Sequence, residues 1–161
     1  MRIVYTVVVD GKLHREDGPA VEYADGTKEW WINGELHRED GPAIEHASGG
    51  KFWFINDLLH REDGPAIEMA NGDKLWYING KLHRKDGPAI EHASGGEQWW
   101  ANDKRHREDG PVIEWVDGTK EWFLDGKELT EEEHALRTQP VKELSVDENE
   151  KLLGYRVKIV K

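Results

Sequence analysis

Five histidines each head a recurring heptapeptide, and each stands three residues ahead of an aspartate. His-Arg-Glu-Asp-Gly-Pro-Ala begins at His14, His37 and His60. It recurs at His83 with Lys85 in the Glu place, and at His106 with Val112 in the Ala place. Imidazole and carboxylate at close spacing are the materials of a metal centre or an acid–base pair. A metal needs three or four convergent ligands, and a catalytic pair needs one tuned environment. Here the same set returns five times at a step of 23 residues. A reactive site occurs once and breaks symmetry, whereas a structural ladder repeats. The heptapeptides are therefore read as ladders of His–backbone and Arg–carboxylate bonds, with no catalytic residue, no metal ligand and no cofactor. The chain offers no Cys nucleophile, no Gly-rich phosphate loop and no Ser in a nucleophile-like setting. His46 and His92 stand where other units carry Tyr23, Met69 and Trp115, and are read as packing residues.

The elements that position these residues follow from what lies between the heptapeptides. In one unit Ala20–Ala24 leads into Asp25-Gly26, and Thr27–Ile32 leads into Asn33-Gly34. Asp-Gly and Asn-Gly tolerate the positive φ of tight hairpin turns, so each unit is expected to hold two short antiparallel strands. A fixed period in this range marks a stacked repeat. The fold class is mainly β: an elongated, twisted antiparallel sheet of five tandem 23-residue hairpin repeats over residues 1–129, with a small α/β cap over 130–161.

Alternation assigns the faces. Val21, Ile44, Ile67, Ile90 and Ile113 share one position of the first strand, and Glu22, Glu45, Glu68, Glu91 and Glu114 follow on the opposite face. Trp30, Trp53, Trp76, Trp99 and Trp122 share one position of the second strand, on the same side as the aliphatic residue two further on. These Trp and Ile columns are the expected core. Between them runs a second aromatic column, Trp31, Phe54, Tyr77, Trp100 and Phe123, on the other face. A single unit cannot bury enough to fold alone, so stability belongs to the stack.

Composition narrows the partners. The 161 residues carry 22 basic and 33 acidic side chains, for a net charge of −11. That balance weighs against direct nucleic-acid or membrane binding, since both are polyanions. Eight Trp in a chain of mean hydropathy −0.82 argue for a packed fold rather than disorder. With no Cys, and with an N-terminus apolar for too short a stretch to be a signal peptide, the expected location is the cytoplasm.

The string Asn33-Gly34-Glu35-Leu36-His37, preceded by Trp30-Trp31 and followed by Ala47-Ser48-Gly49, resembles the MORN repeat (membrane occupation and recognition nexus). The closest match is Asn79-Gly80-Lys81-Leu82-His83, and the resemblance covers residues 7 to 129. It implies an elongated twisted sheet of successive hairpins, acting as a scaffold, dimerisation module or adaptor. The sequence departs from that pattern where Arg-Glu-Asp-Gly-Pro replaces the usual Gly-x-Gly after the His. The heptapeptides and the ending Leu152–Lys161 also look like uncharacterised bacteriophage and prophage proteins.

After Asp125-Gly126 the period stops. Thr130-Glu131-Glu132-Glu133 reads as a capping box opening a short helix. A second helix is expected over 146–153, between Ser145 and Gly154, and a strand over 155–160. This segment either caps the stack or docks a partner. The functional expectation is a non-enzymatic protein-interaction module, with Glu22, Glu45, Glu68, Glu91 and Glu114 and the second aromatic column as the partner surface. Its partner would be a basic or nucleic-acid-binding host protein, met by mimicry of nucleic acid. In the rival reading of the carboxylate row, Arg15, Arg38, Arg61, Arg84 and Arg107 neutralise it. The other expectations are a structural or homodimerising scaffold, or choline-type ligand binding by the aromatic columns through cation–π contact.

Overall fold

The computed structural model describes residues 2–115 and 117–139. Units are counted here from each heptapeptide His, as 14–36, 37–59, 60–82, 83–105 and 106–128. Their inner strands form one antiparallel sheet of nine, in the spatial order Ile3–Thr6, Val21–Tyr23, Lys28–Glu29, Ile44–Glu45, Lys51–Phe52, Ile67–Glu68, Lys74–Leu75, Ile90–Glu91 and Glu97–Gln98. Beside it runs a row of small hairpins, among them Trp31–Ile32 with Glu35–Leu36 and Tyr77–Ile78 with Lys81–Leu82. The expected mainly β stack of hairpins is therefore the observed architecture.

Each of the first four units holds four short strands, not two. The expected continuous second strand breaks at its Trp because the Trp backbone serves other partners. The Trp30 N–H donates to the Ala43 carbonyl of the next unit at 2.8 Å, and the Trp30 carbonyl accepts from His37 N–H at 3.1 Å. Trp53, Trp76 and Trp99 repeat the arrangement onto Ala66, Ala89 and Val112. The chain thus crosses at each Trp from the sheet to the hairpin row, and every crossing ties one unit to the next.

The hairpin tips explain the Asn-Gly signal. Asn33 and Gly34 sit at φ 53° and 87°, both in the left-handed region that tight two-residue turns require. In units 2 and 4 an Asp fills the Gly place, with Asp57 at φ 62° and Asp103 at φ 63°. Each is offset by a side-chain bond: Asp57 Oδ1 accepts from Leu36 N–H at 2.7 Å, and Asp103 Oδ1 from Leu82 N–H at 2.8 Å. A second bond accompanies each. Thr27 Oγ1 accepts from Ala47 N–H at 3.2 Å, and Asp73 Oδ1 from Ala93 N–H at 2.7 Å. At the junctions of units 2 with 3 and 4 with 5, the equivalent positions are Gly50 and Gly80, and Gly96 and Gly126, which have no side chain to offer. The true structural period is therefore two units, or 46 residues.

The most buried apolar residues are small. Ala20, Ala43, Ala66, Ala89 and Val112, each closing a heptapeptide, are fully buried, with Val21, Ile67 and Ile113 beside them. Ile44 and Ile90 are half-buried, as are Trp30, Trp53, Trp76, Trp99 and Trp122. The Trp column is a shoulder of the core rather than its centre.

The nine-stranded sheet ends where its charge pattern fails. Lys28, Lys51 and Lys74 lie opposite the Glu row in register, Lys28 against Glu22 and Glu45 for example. Glu97 takes the Lys place in unit 4 and faces Glu91. Like charges directly opposite destabilise pairing. Ile113–Glu114 then joins a separate three-stranded sheet with Lys120–Leu124 and Lys127–Leu129.

The capping box is present: Thr130 accepts from Glu133 N–H, Glu133 accepts from Thr130 N–H, and the helix runs Glu131–Thr138. The expected second helix and terminal strand lie outside the described residues. No helix among the described residues is long and apolar enough to cross a membrane.

Candidate functional site

Each heptapeptide folds back on itself around its arginine. Arg38 Nε donates to Asp40 Oδ1 at 2.8 Å, and its terminal nitrogen donates to the Pro42 carbonyl at 3.2 Å and to Glu45 at 3.1 Å. The guanidinium lies 4.1 Å from the ring centroid of Trp30, in the preceding unit. Arg61 over Trp53, Arg84 over Trp76 and Arg107 over Trp99 repeat the stack at 4.1, 3.9 and 3.9 Å. A cation–π contact of this kind contributes about 0.5–2 kcal/mol, depending on its desolvation. The heptapeptide Gly makes room for it. A Cβ on Gly41, Gly64, Gly87 or Gly110 would stand 2.8 Å from the guanidinium carbon.

The same bond sets the aspartates' titration. The Arg hydrogen bond holds Asp17, Asp40, Asp63 and Asp109 below the ordinary Asp value. A carboxylate lowered in the fold stabilises it when ionised. That contribution is present above about pH 4, near the unfolded value, and disappears as pH falls through the lowered one.

The histidines take a backbone role. His14 Nδ1 accepts the Asn33 N–H at 3.1 Å, and His60, His83 and His106 do the same for Asn79, Asn102 and Asp125 at 3.1, 3.3 and 3.1 Å. His37 accepts from Asn56 at 3.3 Å. Each His thus pins the hairpin tip of its own unit. Among the described residues, no group of three or more His, Asp and Glu could hold a metal ion.

The geometry divides the acidic residues into two sets. Glu45, Glu68 and Glu91, in the row expected to meet a partner, bond to Arg38, Arg61 and Arg84 at 3.1, 3.2 and 2.6 Å. Their side chains are 40, 36 and 35% exposed. At the ends of the row the pattern changes: Glu114 pairs with Lys120 at 3.7 Å, and Glu22 lies opposite Lys28. The other set, Glu16, Glu39, Glu62 and Glu108 of the heptapeptides, lies 3.8, 3.8, 3.8 and 3.7 Å from the Nε2 of His14, His37, His60 and His106 and is 86, 87, 85 and 78% exposed. These side chains, which alternation along a strand does not reach, are the outward acidic row.

The second aromatic column is half-buried in the hairpin row, where Trp31, Phe54, Tyr77 and Trp100 face Leu36, Leu59, Leu82 and Arg105 across their hairpins. Arg105 lies 5.6 Å from Trp100 and 5.3 Å from Phe123, and its Nη1 donates to Glu121 at 2.5 Å. Over Trp30, Trp53, Trp76 and Trp99, one ring face already carries an Arg.

Successive heptapeptides wall a row of grooves. Four of them, of about 770, 610, 650 and 690 Å³, recur at one-unit intervals. The first is floored by Trp30 and Ile32, between Arg15–Gly18 on one side and His37–Asp40 on the other. Arg38, Glu39 and Asp40 also wall the second groove, and Arg61, Glu62 and Asp63 are shared by the second and third. The row is therefore continuous. It ends at the helix, where Thr130 stands in the place of the next Arg and His134 takes over its task. That ring lies 4.9 Å from Trp122, is buried, and meets the Arg107 carbonyl through Nε2 at 2.6 Å.

No protein-family model matches the chain, and no curated protein is significantly similar to it.

Proposed function

We propose that this chain is a non-enzymatic, MORN-like protein-interaction module that meets a basic partner protein through its heptapeptide edge. One observation carries the reading. The five His and the Arg–Glu pairs of the three middle units are committed to bonds within the stack, whereas Glu16, Glu39, Glu62 and Glu108 keep only a long contact to their own His, at 3.8, 3.8, 3.8 and 3.7 Å, and point outward beside grooves lined by Trp and Ile. Repeated grooves with an acidic rim suit recognition of an extended surface rather than turnover of one molecule. The resemblance to phage proteins makes a host protein the natural partner, with the acidic row imitating nucleic acid.

The test is capture from bacterial lysate at low and high salt, using the chain and its Glu16→Gln/Glu39→Gln/Glu62→Gln/Glu108→Gln variant. A stoichiometric basic protein held by the first, lost with the variant and released by salt, is the expected result. Equal capture by both chains, or turnover of a metabolite by the purified protein alone, overturns the reading.

A further inference from the structure

We infer that the groove row seats an extended basic segment carrying one cationic side chain at every third residue. The inference rests on the interaction reading above and specifies what the partner presents. Each of the first four units contributes two strands to the main sheet, and strands lie about 4.8 Å apart, so the heptapeptide walls of those units repeat at about 9.6 Å. A polyproline II segment advances about 9.3 Å in three residues and brings every third side chain to the same face. The mismatch of about 0.3 Å per unit accumulates to about 1 Å over four grooves, within the reach of a flexible lysine. A peptide in a β conformation also covers about 10 Å in three residues, but alternates its faces and would turn each second cation away.

The groove chemistry fits such a segment. Trp30 with Ile32, and Trp53 with Ile55, line the first two grooves and offer a proline-rich backbone apolar contact beside the arginines stacked on the rings. Glu16, Glu39 and Glu62 stand between or beside the floors and are exposed. The arginines that share the walls are already partnered: Arg38 and Arg61 by their own Asp, Pro carbonyl and Trp, and Arg84 by the Pro88 carbonyl, Glu91 and Trp76. The row is also polarised. Lys85 replaces the Glu in the wall shared by the third and fourth grooves, which makes the N-terminal half the stronger cation receptor. That replacement also shows that this position accepts either charge without loss of the turn.

The experiment titrates the intact chain with three synthetic peptides of defined sequence: (Lys-Pro-Pro)4, (Lys-Pro-Pro-Pro)4 and (Glu-Pro-Pro)4. The first should bind at least tenfold more tightly than the second, which has the same charge at the wrong spacing, and the third should not bind. Lys85→Glu should tighten binding of the first peptide several-fold, and Glu39→Lys should weaken it by about tenfold, with thermal melts checking that both variants fold. Equal affinity for the two lysine peptides, or no response to Lys85→Glu, overturns the spacing claim and leaves basic-partner binding standing. Failure of both lysine peptides together with salt-sensitive capture of a basic protein overturns only this inference. Failure of both assays overturns the interaction reading as well.

Discussion

The junction between units 1 and 2 and that between units 2 and 3 share one backbone plan but are fastened differently. Both carry a Trp–Ala backbone bond and an Arg stacked on Trp. The first adds Thr27 to Ala47 and Asp57 to Leu36, and the junction of units 3 and 4 adds Asp73 to Ala93 and Asp103 to Leu82. The second has Gly50 and Gly80 instead. In a stack whose stability is a sum of units and nearest-neighbour terms, unequal neighbour terms make the cooperative block larger than the repeat. The Arg–Trp stack sets the architecture, and the alternating side-chain bonds decide where it opens.

The largest test strikes the stack where nothing supplements it. Trp53→Ala should cost about 3 kcal/mol, the low end for a large aromatic because the ring is half-exposed. It should also let units 1–2 and 3–5 exchange amide hydrogens independently, whereas Trp76→Ala should cost as much yet leave units 3 and 4 protected together. Identical exchange patterns in the two variants would erase the distinction between junctions. Gly64→Ala should cost about 2 kcal/mol in thermal or urea unfolding. Its methyl takes the place of the Arg61 guanidinium, which loses its seat against the Pro65 carbonyl and Trp53.

The comparison can also be sharpened by repair. Gly50 has ordinary φ, and a Cβ there meets Phe52 at 3.5 Å and Glu68 at 3.8 Å, which is normal contact. Gly50→Thr should therefore supply the missing bond to Ala70 N–H and raise stability by about 1 kcal/mol. Glu97→Lys should give about 0.5 kcal/mol by replacing a like-charge pair with an opposite one against Glu91, read as a small rise in melting temperature that salt diminishes.

How far the sequence disclosed this depends on the range of each interaction. Turn signals and the capping box are local, so Asn33-Gly34 and Thr130–Glu133 identified the hairpin tips and the helix start directly. The sequence offers Arg as a candidate partner for the Glu row, but exposure depends on whether an Arg seven residues earlier reaches back to it, as Arg38 does to Glu45. Arg38 on Trp30 spans a turn and a unit boundary, and a period-two pattern does not anticipate such a stack. Alternation overstates the Trp column as core for the same reason: four of its rings lean on arginines at the margin, while the small residue that ends each heptapeptide, Ala or Val112, fills the centre. The one available signal for the Gly requirement was its recurrence before Pro in every unit. The two-unit period was also open to inspection, since Glu-His-Ala-Ser-Gly-Gly occurs at Glu45 and again at Glu91. The stronger 23-residue repetition obscured it.

The alternation has a consequence for how such a chain can change length. Excising residues 37–82 would join unit 1 to unit 4 with Thr27 below Ala93 and Asp103 beside Leu36, so both bonds re-form across the splice. Excising only 60–82 would set Gly50 under Ala93 and forfeit one of them. Growth and shrinkage by 46 residues preserve every fastening, and steps of 23 do not. The natural indel of this architecture is therefore a pair of repeats, and the odd fifth unit is the one that ends against a helix.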